Sequence, residues 1–221
     1  MTTRLFLIRH GATTLTVEDR FAGETDVELS DHGREQAELL ALRLAREPVK
    51  AVYASPLGRT VETAAIIAKP HGLAVQRVGG LREISHGRWE QKTRAEVEKE
   101  FPEEYANWEG DPFTFAPAGG ETGLQVTARS LPALLEMLAS HRNGHIVAVS
   151  HKATIRLLLS SLLGFDARYY RDRLDMSPAA LNILDFKDLR NARLVLFNDT
   201  SHYSAMPDIP QKRLSKVWDK T

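Results

Sequence analysis

An α/β fold, three layers deep around a mostly parallel central sheet, is predicted by three features of the sequence. Two unbroken apolar runs, Leu5-Phe6-Leu7-Ile8 and Ile146-Val147-Ala148-Val149, suit strands buried on both faces, as parallel strands are. Segments with strand-like and helix-like spacing alternate along the first half of the chain. The length, 221 residues, with 43% hydrophobic and 26% charged residues, suits one well-buried domain.

The elements follow in order. After the first strand comes a polar loop, then Ser30 as a helix N-cap and Ala37, Leu40, Ala41 and Leu44 at helical spacing. Lys50 to Ala54 reads as a second strand, Ser55-Pro56 as a helix start, and Val61, Ala64, Ala65 and Ala68 as that helix's buried stripe. Leu73 to Val78 reads as a third strand and Lys92 to Glu100 as a charged surface helix stopped by Pro102. Tyr105 to Gly120, rich in aromatics and proline, is expected to be an ordered excursion over the sheet edge. A disordered tract would hold fewer aromatics. The segment from Glu121 to about Ser140 is helical in spacing, with a kink or restart expected at Pro132. His145 to Val149 is the next strand, followed by a helix carrying Ile155, Leu158, Leu159 and Leu162. Two late strands, Leu181 to Phe186 and Arg193 to Phe197, precede a basic tail from Pro207. The expected organisation is one domain over residues 1–206, with a cap-like insertion at about 92–120, and a tail at 207–221.

Charge and cysteine content narrow the function. The 29 basic and 29 acidic residues cancel, so neither nucleic acid nor a membrane surface is expected as a partner, and any affinity for anions is local. With no cysteine, thiolate chemistry is excluded and a reducing, cytoplasmic setting is expected. The eight histidines are scattered without metal-ligand spacing, so no metal and no cofactor are expected.

Four short motifs fall at the ends of expected strands or just after them: Arg9-His10-Gly11, Ser55-Pro56-Leu57-Gly58-Arg59, Leu81-Arg82-Glu83 and Val149-Ser150-His151. Parallel topology gathers such ends at one edge, where ligands settle. In this order, and together with Phe21-Ala22-Gly23, Gly87 and Trp89, Gly119-Gly120-Glu121 and Asn198-Asp199-Thr200, they resemble the histidine phosphatase superfamily, the phosphoglycerate mutase-like or Arg-His-Gly family. The resemblance runs from Leu5 to about His202. It implies the phosphoglycerate mutase-like fold, a small phosphorylated metabolite as partner, and a phosphohistidine intermediate at His10.

The chemistry of the residues agrees with that resemblance. A phosphomonoester dianion repels anionic nucleophiles, whereas a neutral imidazole, here His10, can approach in line. Its second ring nitrogen is expected to donate to a backbone carbonyl, which fixes the tautomer. Arg9 and Arg59 suit paired N–H contacts to phosphoryl oxygens, and His151, if protonated, would add a donor. Gly11 would let the backbone turn tightly. Glu83 would protonate the departing alkoxide and then activate water, a role typically contributing ~10²–10⁴-fold. The resemblance places Ala22 and Gly23 beside the phosphate.

The chain also departs from the family pattern. Thr16 stands where an Asn is usual, and a hydroxyl offers one donor where the amide offers two. Lys152 stands where many relatives have Gly, and an extra cation there would favour a substrate with a second anionic group. His86 matches a histidine found in some metal-independent phosphoserine phosphatases of the family. Specificity is expected from residues 92–120, the loop from Thr16 to Glu24, and His86, Lys152 and His202. The stretch after Glu83 lacks the Tyr-Gly of cofactor-dependent mutases, and the interval to His151 is short, which favours a phosphatase. The other readings are a cofactor-dependent phosphoglycerate mutase, a phosphoserine phosphatase in particular, and a phosphate-recognising regulatory protein. Oligomeric state, a homodimer included, is left open by the sequence.

Overall fold

Residues 2–16 and 20–207 are described by a computed structural model; the expected tail therefore lies, from residue 208 on, outside the described residues. Six strands form one mixed sheet in the order β3-β2-β4-β1-β5-β6, with β1 Thr3–Arg9, β2 Val49–Ala54, β3 Val75–Arg77, β4 His145–Ser150, β5 Leu181–Asp188 and β6 Asn191–Asp199. The first four strands are parallel, and β5 and β6 form an antiparallel hairpin that extends the sheet from β1. The expected fold class holds.

Alternation along the buried strands sends side chains to two cores. Phe6 and Ile8 of β1 join Val147 and Val149 of β4 against α1 Asp31–Leu44 and α2 Gly58–Ala68 on one face. Leu5 and Leu7 join Ile146 and Ala148 against α5 Gly123–Ser140 and α6 Lys152–Leu163 on the other. Because both faces of β1 and β4 are covered, their central residues, Leu5 to Ile8 and Ile146 to Val149, are all apolar.

Three local expectations change. Helix α2 begins at Gly58 rather than at Ser55-Pro56; Ser55 is buried at the strand end with a different partner. Helix α5 runs through Pro132 as one element, its inward stripe of Val126, Ser130, Leu134, Met137 and Leu138 sustaining the turn where one N–H is missing. The excursion holds a helix, α4 Pro102–Gly110, directly after the capped α3 Arg94–Glu100, with Pro102 in the first turn, where a missing N–H costs little. Tyr105 and Trp108 of α4 pack with Val97, Trp89 and Phe21 into a separate aromatic core. This small core ties residues 92–110 to the loop that follows β1, where Phe21 N also donates to the Lys92 carbonyl at 3.0 Å. One further helix, α7 Tyr170–Arg173, lies beside α6.

Candidate active site

Register brings the motifs together. Arg9 of β1 pairs with Ser150 of β4, so His10 and His151 leave adjacent strands at the same level, their rings 5.2 Å apart. The amide of His10 donates to the Ser150 carbonyl at 3.1 Å and the His10 carbonyl accepts from Ala179 at 3.0 Å, which pins the residue from both sides. Gly11 serves a close approach rather than a left-handed turn: a Cβ there would stand 2.3 Å from the Gly33 carbonyl oxygen at the start of α1.

Around His10 the cleft is lined by Arg9, Thr13, Leu15, Thr16, Arg20, Phe21, Ala22, Gly23, Arg59, Glu83, His86 and Lys152. Of the ten residues expected to act in catalysis or to contact phosphate or substrate, Arg9, His10, Thr16, Ala22, Gly23, Arg59, Glu83, His86, His151 and Lys152, nine line it. The tenth, His151, lies fully buried against the His10 ring. His202, expected to contribute to specificity, is not among the lining residues; its ring packs on Tyr203, and burial, with the Arg43 charge adding, pushes its pKa down to about 4.

The ring of His10 donates from Nδ1 to the carbonyl of its neighbour Gly11 at 2.7 Å. That leaves Nε2 with the free electron pair. Burial, reinforced by the charges of Arg59 and Arg9, holds the imidazole well below its ordinary pKa, so it is neutral at pH 7. His151 is also held well below its ordinary value by burial and by Arg59. Its Nε2 meets Ser55 Oγ at 2.7 Å, and its Nδ1 is buried without a partner. A neutral His151 can thus donate from Nδ1 while accepting the Ser55 hydroxyl at Nε2, so protonation is not required for it to offer a donor.

Each arginine is half engaged by the backbone. Arg9 donates from Nη1 to the Met176 carbonyl at 2.7 Å, and Arg59 from Nη1 to Thr25 and from Nη2 to Gly23, both at 2.8 Å. The Nε of each is buried with no partner. A buried donor of a charged group left unsatisfied is costly, and these two, with the unpartnered Nδ1 of the neutral His151, surround the His10 imidazole. Arg9 stays charged although burial lowers its pKa to about 10.

Glu83 is fixed at the N-terminus of α6. Its Oε1 accepts from Ile84 N at 3.0 Å and Thr154 N at 3.2 Å, and its Oε2 accepts from Ala153 N at 3.3 Å. The hydroxyl of Thr154 donates to the Arg82 carbonyl at 2.6 Å and lies 3.2 Å from Glu83 Oε1.

The substrate side is less uniform. Thr16 Oγ1 folds back on its own turn, accepting from Thr13 N at 2.8 Å, so it is less available to a ligand than the sequence suggests. His86 is packed on Phe21 and Trp108, with ring centroids at 4.8 and 6.4 Å, and burial lowers its pKa. Lys152 is half-buried at the cleft wall; burial, with Arg156 and Arg9 nearby, brings its pKa down to about 7. Sequence reasoning did not find Ser55 as the partner of His151, Thr154 as the partner of Glu83, or Arg20 in the cleft wall. Only the placement of Ser55 directly after an apolar strand carried a signal for the first.

These features are those of a phosphoryl-handling α/β enzyme. The model of the histidine phosphatase superfamily (branch 1) matches residues 5–200, and the chain belongs to that family. It is 34% identical over 200 residues to phosphoserine phosphatase 1 of Hydrogenobacter thermophilus, covering 90% of this chain and 93% of that one. It is 34% identical over 168 residues to a glucosyl-3-phosphoglycerate phosphatase of Mycobacterium tuberculosis, covering 72% of this chain and 75% of the relative. Among solved structures, Bacillus stearothermophilus YhfR superposes with a TM-score of 0.85 at 29% identity, covering 90% of this chain and 98% of that one.

Proposed function

We propose that the protein is a phosphatase that hydrolyses a small phosphomonoester in two in-line steps through a phosphohistidine at His10. The observation that carries this reading is the Nδ1 contact of His10 with the Gly11 carbonyl, which leaves a neutral, forward-facing Nε2 among unsatisfied cationic donors. The family, and relatives named for phosphoserine and glucosyl-3-phosphoglycerate, support the same class of reaction.

In the first step Nε2 of His10 forms a bond to phosphorus as the ester P–O bond breaks. Glu83 gives its proton to the departing alkoxide, and the alcohol leaves. In the second step water attacks the phosphohistidine, Glu83 takes its proton, and orthophosphate departs with His10 restored as the neutral base. Arg9, Arg59 and the Nδ1 of His151 hold the equatorial oxygens, whose charge is greatest at the transition state. The cleft residues Ala22, Gly23, Thr16, His86 and Lys152 face the rest of the ester.

The single domain at 1–206, with residues 92–120 as its cap, belongs to this proposal, as does a cytoplasmic location suggested by the cysteine-free composition. No nucleic-acid partner is proposed, because the net charge is zero. Among the described residues no helix is long and apolar enough to cross a membrane.

Phosphate release from a panel of phosphomonoesters, with excess chelator and without, tests the proposal. Hydrolysis that persists in chelator is expected. Isomerisation of 3-phosphoglycerate with a bisphosphate requirement and little phosphate release would indicate a mutase instead.

A further inference from the structure

Glu83 sits in a segment, residues 82–86, that has no regular secondary structure and follows the turn Gly79–Leu81. The carbonyls of such a segment need donors from elsewhere, and four consecutive ones, Gly80 to Glu83, find them on three elements. Leu81 O accepts from Ser150 Oγ of β4 at 2.8 Å, and Arg82 O from Thr154 Oγ1 of α6 at 2.6 Å. The carbonyls of Gly80, Arg82 and Glu83 all accept from one residue of α5, Arg129, each at 2.9 Å. A Cβ on Gly80 would stand 2.6 Å from the Ala133 Cβ and 2.7 Å from the Arg129 carbonyl oxygen, so the turn lies directly on α5.

The fork of Arg129 is fully used. Its Nε and Nη2 donate to the two oxygens of Glu121, both at 2.8 Å, and with the three carbonyls this engages all five N–H groups of the guanidinium. Glu121 in turn binds the far side of the acid: its Oε2 accepts from Ser85 N at 3.1 Å, and its own N–H donates to the Ser85 carbonyl at 2.9 Å. Burial raises the Glu121 pKa, but the hydrogen bonds from Arg129 and Ser85 outweigh it and hold the carboxyl below its ordinary value, so the pair is ionised at pH 7. Neither side chain lines the cleft.

The two ends of Glu83 are thereby set by different helices: the carboxylate by the first N–H groups of α6, the backbone by Arg129 of α5. Resting on the phosphatase reading above, we infer that Arg129, locked by Glu121, is the positioning residue of the catalytic acid, holding the Glu83 backbone so that its carboxyl meets the departing alkoxide. A general acid works only within hydrogen-bond reach of the oxygen it protonates, and misplacement on the order of 1 Å can cost ~10²-fold. Lysine, a single point donor, does not reproduce the fork. The Gly119-Gly120-Glu121 motif, to which the phosphoryl chemistry gives no contact, serves the acid in this way.

The test compares two esters that share a ring and differ in the leaving group: phenyl phosphate, whose phenoxide needs a proton, and p-nitrophenyl phosphate, whose nitrophenoxide needs little help. The parameter read is kcat/KM, which covers the first step only, in which Glu83 is the acid. Arg129→Lys should lower kcat/KM on phenyl phosphate by about fivefold or more, and on p-nitrophenyl phosphate by less than about twofold. Glu121→Gln should lose in the same order, by less. Placed on Glu83→Gln, Arg129→Lys should change phenyl phosphate hydrolysis by less than about twofold, since no acid is left to aim.

A clamp that only stabilised the fold would depress both esters alike and would act equally with and without the Glu83 carboxyl. Either result overturns the inference, while hydrolysis of p-nitrophenyl phosphate by the wild type leaves the phosphatase reading standing. Where Arg129→Lys does not fold, Glu121→Gln decides in the same way, equal losses on the two esters overturning the inference. Failure of the wild type to hydrolyse either ester would overturn both.

Discussion

Ser55 Oγ lies 2.7 Å from His151 Nε2, and this contact decides which nitrogen of the second histidine faces the phosphate pocket. Ser55 is itself fully buried at the end of β2, whose neighbour β4 delivers His151. With Nε2 satisfied by the serine, Nδ1 is the nitrogen left to donate. Replacing Ser55 by Ala removes that preference and leaves Nε2 unpaired. A loss of about tenfold in kcat is expected with a smaller change in KM, because the donor matters most when charge develops. Steady-state kinetics on one ester check this; an unchanged kcat would show that the tautomer is set otherwise.

Glu90 acts on Arg59 through the loop between them. Its carboxylate accepts from Glu24 N at 3.1 Å and from Thr25 N and Oγ1 at 3.0 and 2.7 Å, and the carbonyls of Gly23 and Thr25 hold the Arg59 guanidinium. Gly23 has φ +50°, and a Cβ there would stand 2.2 Å from the Glu90 carboxylate. Glu90→Ala should therefore raise KM and lower kcat/KM by about 10-fold to 100-fold, although Glu90 does not line the cleft. Glu90→Gln, which keeps one acceptor oxygen, should lose less. The two variants with equal losses would exclude this route.

Histidines held low by burial, His202 with its pKa of about 4 among them, fix the acid side of the stability profile. Burial lowers the pKa of His10, His86 and His151, so the unfolded chain binds their protons more readily than the folded one. Stability is then fully present above the unfolded value near 6.5 and falls as pH drops below it, by up to about 1.4 kcal/mol per pH unit for each group. Thermal midpoints at pH 7, 6 and 5 should decline in that order. A flat profile would mean that these histidines titrate normally in the folded protein.

Thr154 offers a test of how Glu83 is aimed. Its hydroxyl sits between the Arg82 carbonyl and Glu83 Oε1, while its backbone N–H also donates to the carboxylate. Thr154→Val keeps the shape and the N–H but removes the hydroxyl beside Glu83 Oε1, while the Arg82 carbonyl still accepts from Arg129 Nη1 at 2.9 Å. The account predicts a fall of about tenfold in kcat, larger for esters with poor leaving groups than for p-nitrophenyl phosphate, which needs little help from an acid. Equal losses on both would separate Thr154 from the acid step.

What the sequence revealed was the part of the site that topology alone assembles. Arg9, His10 and His151 come from strand ends that any parallel pairing of β1 with β4 places side by side, and the apolar runs that announce those strands are plain. The hydrogen-bond partners were hidden, because nothing local marks Thr154 and only its place after an apolar strand marks Ser55: each becomes a partner only when β2 or α6 is docked. Helix α4 was obscured for a different reason. Its inward residues, Tyr105 and Trp108, serve an aromatic core shared with Phe21 and Trp89, so its own stripe is only two residues long. Thr16 shows the converse, a residue whose position in the pattern suggested a ligand contact but whose hydroxyl closes its own turn.

The central claim is that His10 carries the phosphoryl group between the two steps. Rapid mixing of the protein with a ³²P-labelled ester, followed by quenching in base, where phosphohistidine survives, measures it directly. The label should be found on His10 within the first turnover and be absent from His10→Ala, whose hydrolysis should be lower by about 10³-fold or more. Undiminished hydrolysis by His10→Ala, or turnover with no protein-bound label, would contradict the account.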